Sequence, residues 1–335
     1  MDEFSQLNAE EAAFYTENYF TRKNEERKTL RKLSFFSGTA VILYVVIQNV
    51  IVTALEGLDL LTLYSKNVFF RGGIDIVLTL LGILLPFMLM GKKMKQVSGE
   101  AEPVLAEPVK SRSLFIFGML GCTGCVMLSN IVSSYITAII SALGYELTAP
   151  EISTAEGVAG FLINMLKVCI LAAVVEEYCL RGQVLGNLRF YGDVFAIVMS
   201  ASIFGLMHST LIQVPFAMLS GIALGFFTLK CNSIWPAVVA HGINNGLSIV
   251  ISYLIEIIGE EKGMLLYGYA IYALILIGMV SCVLFSMNSH KSPLRKPQTI
   301  LTLSEKLSSF IFSLPIIIAF LLMVLITAES ISWRV

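Results

Sequence analysis

The sequence predicts an all-α polytopic membrane protein with about eight or nine transmembrane helices and a polar cavity inside the membrane. First, 56% of the residues are hydrophobic and only 14% are charged, whereas soluble domains carry roughly a quarter charged residues. Second, apolar runs of about 18 residues or more recur from Ser34 to Ala328, each long enough to cross a bilayer as a helix. We therefore expect an integral protein of the cell membrane, with the lipid bilayer as its first partner.

The chain divides into four predicted segments. Residues 1–33 combine aromatic and basic side chains, which is typical of an amphipathic segment at the cytoplasmic face, and they lack the features of a signal peptide. N-terminal transmembrane helices follow at 34–150, a core at 151–255 and C-terminal transmembrane helices at 256–335. The predicted spans cover approximately residues 34–55, 74–91, 113–143, 158–189, 193–209, 211–229, 234–255, 265–287 and 308–328.

The distribution of charge predicts the orientation. Basic residues cluster before the first span and after the second, fourth, sixth and eighth, while the loops after the third and seventh are acidic or mixed. Because cytoplasmic loops are enriched in Lys and Arg, the N-terminus is expected in the cytoplasm. The basic residues form no separate domain, so no nucleic-acid partner is expected.

The cysteines lie mostly in apolar runs, which argues against a disulfide framework. Cys122 and Cys125 form a C-x-x-C motif, but Gly121 and Gly124 lie beside them. Small residues of this kind favour close helix packing over redox chemistry.

One predicted span carries three charged side chains, Glu176, Glu177 and Arg181. Glu177 and Arg181 are four residues apart, so their side chains meet on one helix face. Glu176 is rotated about 100° away and has no obvious local partner. An unpartnered carboxylate at membrane depth is unfavourable and therefore indicates a functional site.

Two further spans each carry a polar pair at the same spacing. Phe204 and His208 form one pair, and His241 and Asn245 form the other, while the third histidine, His290, lies in a basic loop. Counted at about 1.5 Å per residue from the cytoplasmic boundaries, both intramembrane histidines and the unpartnered carboxylate lie at similar depths. The three helices are therefore expected to form one site.

These residue types fit the hydrolysis of a peptide bond. A carboxylate and a neutral histidine can deprotonate a water, and a second histidine and an amide can donate to an oxyanion. We expect Glu176, His208, His241 and Asn245 to be catalytic, with Asn244 competing for the amide role. Glu176, His208 and His241 are also a conceivable zinc set, since catalytic zinc often has three protein ligands, although no H-E-x-x-H motif is present.

Glu177, Arg181 and Phe204 are expected to support this site. The ion pair fits a structural tie between helices as well as it fits a catalytic role, and Phe204 is expected to form a wall. Buried Glu and His also build proton relays, so a proton-coupled transporter or a non-catalytic membrane scaffold is the alternative. A transporter should contain internal repeats, and none is visible in the sequence.

At these residues the chain resembles the CAAX protease and bacteriocin-processing family, also called the Abi family, which includes the type II CAAX prenyl endopeptidases. The family pattern is E-E-x-x-x-R, F-x-x-x-H and H-x-x-x-N, in that order. The resemblance covers about residues 155–250. The family commonly has an aromatic residue before the arginine, where this chain has Leu180. The three motifs stand here as Glu176-Glu177…Arg181, Phe204…His208 and His241…Asn245.

The resemblance implies an intramembrane endopeptidase. By this resemblance, the first Glu and the first His of the motifs would activate water, and the second His and the Asn would stabilise the oxyanion. Both zinc-dependent and glutamate-type mechanisms are attributed to the family, so metal dependence stays open. The implied partner is a membrane-associated peptide or protein, prenylated at a CAAX motif or of bacteriocin type, and bacterial members are linked to bacteriocin self-immunity. We expect the cavity to face the cytoplasm.

Overall fold

The computed structural model describes residues 9–99, 107–109, 111–147, 157–288 and 294–333, which form a bundle of helices with one short β-ribbon. The strands β1 (Tyr145–Leu147) and β2 (Ile331–Trp333) pair antiparallel, with Glu146 opposite Ser332. The helices in chain order are α1 (Ala9–Gly57), α2 (Leu61–Lys66), α3 (Val68–Ser98), α4 (Arg112–Ala142), α5 (Gly157–Tyr191), α6 (Asp193–Leu206), α7 (Gln213–Cys231), α8 (Trp235–Ile258), α9 (Glu260–Asn288), α10 (Leu303–Ile311) and α11 (Leu314–Glu329).

The apolar runs form helices, as predicted. Among the described residues, seven helices are long and apolar enough to cross a membrane, and the pair α10 and α11, bent by 69°, makes up to eight. The protein is therefore an integral membrane protein, with a span count at the lower end of the prediction. The fifth predicted span explains the difference, because α6 contains only 14 residues. At 1.5 Å per residue it is about 21 Å long, shorter than a hydrocarbon core of about 30 Å.

The bundle has two distinct ends. At one end, Tyr191 Oη donates to the carbonyl of Glu26 (2.9 Å) and Lys306 Nζ donates to the carbonyl of Tyr191 (2.9 Å), while Lys23 pairs with Glu305 (2.9 Å). These contacts join α1, α5 and α10 where the basic clusters lie, and we call this the basic end. At the other end, which we call the ribbon end, β1 and β2 join the end of α4 to the end of α11.

Helix α4 brings the second half of the bundle together, since it packs along α9 and also contacts α7 and α8. Its crossing with α9 is close: a Cβ atom on Gly124 would lie 2.6 Å from the Cα of Gly278. The glycines beside the C-x-x-C motif thus serve close helix packing, as the sequence indicated. Helix α5 packs against α8, and α6 against α7, so the motif-bearing helices are neighbours.

Candidate active site

The two consecutive glutamates lie at a local change of helix geometry. A short α-helical stretch, Ala173–Glu177, is flanked by the π-helical stretches Met165–Ala172 and Tyr178–Leu185. π-Helical turns are rare and occur frequently at functional sites. Here they surround the motif that carries both carboxylates.

Glu177 is fully buried and joins two helices. Its Oε2 lies 3.2 Å from Arg181 Nε, which is the predicted ion pair, and its Oε1 lies 3.0 Å from Nδ1 of His241 on α8. Arg181 is also fully buried, and its Nη2 donates to the carbonyl of Gly221 (3.3 Å). Because a carboxylate only accepts, Nδ1 of His241 carries a proton. Glu177 therefore fixes the orientation of His241, a contact that no spacing within one helix could indicate.

Glu176 faces the cavity and is the less satisfied carboxylate. Its side chain is 18% exposed, and its Oε2 lies 3.8 Å from Nε2 of His241. That separation is too long for a direct hydrogen bond, and among the described residues this buried oxygen has no hydrogen-bond donor. The charges of Glu177 and Arg181 cancel, so one proton on the Glu176–His241 pair, in addition to that on Nδ1, leaves the cluster neutral, as burial favours.

His208 lies in the turn between α6 and α7, and not within a helix as predicted, because α6 ends at Leu206. Its Nδ1 lies 2.8 Å from the carbonyl of Phe204. A carbonyl only accepts, so this nitrogen carries the proton, and Nε2 of the neutral ring keeps its lone pair. The Phe204 ring lies 4.7 Å from the His208 ring and 5.8 Å from the His241 ring, with the Arg181 guanidinium 4.5 Å from its centroid. Phe204 is thus the wall that contacts all three.

A chain of amides sets the orientation of Asn245. Its Oδ1 accepts from Asn244 Nδ2 (3.1 Å), and its Nδ2 donates to the carbonyl of Val168 (3.0 Å). Asn244 Oδ1 in turn accepts from Nδ2 of Asn130 on α4 (2.9 Å). One N–H of Asn245 is therefore used by Val168, and the other is available to a ligand. Asn130 was missed from the sequence, where its only signal was an amide within an apolar span.

A cavity of about 740 Å³ connects these side chains. Lys167 of α5 also lines it and forms an ion pair with Asp75 of α3, whose other oxygen accepts from Tyr64 Oη (2.7 Å). Glu177 and Arg181 lie behind the cavity wall, and His290 lies outside the described residues. The predicted site residues that line the cavity are Glu176, Phe204, His208, His241 and Asn245.

The donor set does not form a ready metal site. In the part of the chain that the structure describes, no three His, Cys, Asp or Glu side chains converge as metal ligands would. Nδ1 of His241 is engaged by Glu177 and that of His208 by a carbonyl, so only Nε2 of each ring could bind a ligand. We assign no step of the reaction to a metal, and the zinc set stays a prediction.

Fold and site together define a polytopic membrane protein with a buried Glu–His–Arg cluster beside a polar cavity. Residues 158–247 match the family described as type II CAAX prenyl endopeptidase Rce1-like. This segment is similar to the CAAX protease family, as its three motifs indicated, and the match supports a CAAX-type intramembrane protease at the family level. The match favours the protease over the transporter and scaffold alternatives. No curated protein and no solved structure gives a significant match to this chain.

Proposed function

We propose that this protein is an intramembrane endopeptidase that hydrolyses a peptide bond of a membrane-associated substrate with water activated by Glu and His. The observation that carries the proposal is the buried, unpartnered Oε2 of Glu176, which faces a polar cavity beside His241. A carboxylate oxygen left without a donor at membrane depth is unfavourable unless it serves a reaction.

The chemistry follows from the protonation of each group. Glu176 and the lone pair of His208 Nε2 accept hydrogen bonds from one water, whose oxygen attacks the peptide carbonyl as a proton passes to Glu176. His241 lies between Glu176 and Glu177, so an imidazolium is compensated there, and its Nε2–H can donate to the oxyanion. The free N–H of Asn245 is the second donor. Collapse of the intermediate breaks the C–N bond, and the proton held by Glu176 passes to the leaving amine.

Glu177 and Arg181 position the catalytic groups. Glu177 holds His241 by Nδ1, and Arg181 compensates the charge of Glu177 and supports the Phe204 ring. The proposed substrate is a peptide or protein segment already held at the membrane, of the prenylated CAAX type or the bacteriocin type. We also propose that the cleavage takes place in the plasma membrane.

The deciding experiment replaces Glu176 by Gln, which keeps the shape of the side chain and removes the base. The purified protein, reconstituted in lipid nanodiscs, is incubated with a bacterial membrane fraction, and new peptide termini are identified by mass spectrometry. Loss of a general base typically lowers the rate by about 10²- to 10⁴-fold, so the new termini should disappear with the variant.

The matched control is Glu256→Gln, on the exposed end of α8 and outside the cavity, which should cleave like the wild type. Unchanged cleavage by Glu176→Gln would refute the protease proposal and would favour the transporter or scaffold alternative instead.

A further inference from the structure

The cavity extends from the catalytic groups towards only one end of the bundle. On α4 its lining runs from Val126 to Ala138, close to the last residue of that helix at the ribbon end. On α5 it runs from Glu176 back to Asn164, near the start of that helix. On α8 it runs from His241 onward to Ile249, again away from the basic end.

Between the glutamates and the basic end, the bundle is close-packed around α5, and a separate pocket of about 250 Å³ at the basic end shares no lining residue with the cavity. On α5, beyond the glutamates, the side chains of Leu180, Arg181, Val184, Leu185 and Leu188 all have 0% exposure. Near the end of α5, Arg189 forms a buried ion pair with Asp193 of α6 (2.9 Å). A close-packed interior of this kind leaves no route for a peptide from the basic end to the site.

The charge distribution assigns each end of the bundle to one side of the membrane. The basic clusters lie at the basic end, which the positive-inside rule assigns to the cytoplasm. The β-ribbon holds the segment that follows α4 and the segment that follows α11 together at the opposite end of the bundle. The cavity therefore faces outward, opposite to the cytoplasm-facing cavity expected from the sequence.

Resting on the proposed function, we propose that the site takes its substrate from the extracytoplasmic side of the membrane. The substrate class is an exported peptide, or the outer segment of a membrane-anchored protein. Glu176 and Asn164 are 12 residues apart on α5, at most about 18 Å along the helix. At about 3.4 Å per residue, this length accommodates roughly five residues of extended peptide. The lining offers such a peptide hydroxyl and amide partners from Ser134, Gln213 and Ser248.

Cysteine accessibility tests the direction of access without requiring activity. Ala138→Cys places a thiol in the cavity lining at the ribbon end, and Lys93→Cys places one on the exposed basic end of α3. Both variants are expressed in a bacterial host and treated with a membrane-impermeant maleimide, before and after lysis, with the parent protein as the baseline for the native cysteines. We expect Ala138→Cys to react in intact spheroplasts as completely as after lysis, and Lys93→Cys to react only after lysis.

The reverse labelling pattern, or a thiol at position 138 that reacts only after lysis, would overturn the proposal. Activity adds a second test in right-side-out vesicles, where cleavage of an added membrane-impermeant peptide library should occur without permeabilisation. Cleavage that appears only after permeabilisation also overturns outward access. If detergent-solubilised protein cleaves nothing while the labelling pattern holds, the protease proposal fails and the outward opening stands.

Discussion

Replacing Glu177 by Gln tests whether this residue positions His241 or only balances Arg181. The substitution removes a charge that is fully buried and lies 3.2 Å from Arg181 and 3.0 Å from His241. Leaving one member of a buried ion pair without its partner destabilises a protein by about 3–5 kcal/mol. The amide can also present its NH₂ group to Nδ1, which favours the wrong tautomer of His241, and such an error lowers kcat by up to about 10⁴-fold in a comparable carboxylate–histidine pair.

The double variant Glu177→Gln/Arg181→Met separates the two effects. Removing both charges should restore most of the lost stability, because a buried pair replaced by uncharged groups of similar size is often close to neutral. Cleavage should not recover, since His241 still lacks its carboxylate. Thermal unfolding in detergent measures the first quantity, and kcat on a cleaved reporter peptide measures the second. If the double variant recovers activity together with stability, Glu177 acts only as the counter-charge of Arg181 and the positioning role is refuted.

The remaining predictions concern the amide chain, the aromatic wall and the metal question. Asn130→Ala should lower kcat by about tenfold, less than the 10²–10³-fold expected for loss of an oxyanion donor itself. Ser129→Ala, on the same helix but outside the cavity lining, should cleave normally, and equal kcat in both variants would contradict the positioning role. Phe204→Leu should lower the free energy of unfolding by about 2 kcal/mol, because the Arg181 guanidinium loses a desolvated cation–π contact, and an unchanged unfolding temperature would argue against it. A strong chelator should leave cleavage by the purified protein unchanged, whereas loss of cleavage that zinc restores would establish a metal mechanism.

The spacing of residues along the sequence predicted much of the fold and part of the site. Apolar runs of about 20 residues can satisfy their backbone groups in lipid only as helices, so the sequence predicted the elements and most of their limits. The Glu177–Arg181 contact followed from a separation of four residues on one helix. The division of the chain into four segments, the cytoplasmic N-terminus and the role of each site residue stay predictions.

The features that sequence reasoning missed depend on contacts between helices. The Glu177–His241 hydrogen bond joins residues 64 positions apart, and the Asn130–Asn244 bond joins residues 114 apart. The sequence did not indicate the end of α6, because the apolar run continues through it. In the structure, Ser209 adopts a positive φ of 57° in the turn that follows. The end of the bundle towards which the cavity opens could not be predicted from the sequence either, since it depends on which half of the bundle is close-packed.

The turn that carries His208 explains why helices without any motif matter to the site. Irregular backbone at membrane depth is tolerated only where its polar groups find partners in the protein or in a water-filled cavity. Three backbone groups of this turn are satisfied from helices outside the matched residues 158–247: Tyr44 of α1 donates to the Met207 carbonyl (3.4 Å), Ser133 of α4 donates to the Ile212 carbonyl (3.2 Å), and Ser330 after α11 accepts from the Leu211 amide (3.3 Å). Segments before and after residues 158–247 therefore hold the histidine turn in place, and residues 158–247 alone would leave those groups unpaired in the membrane.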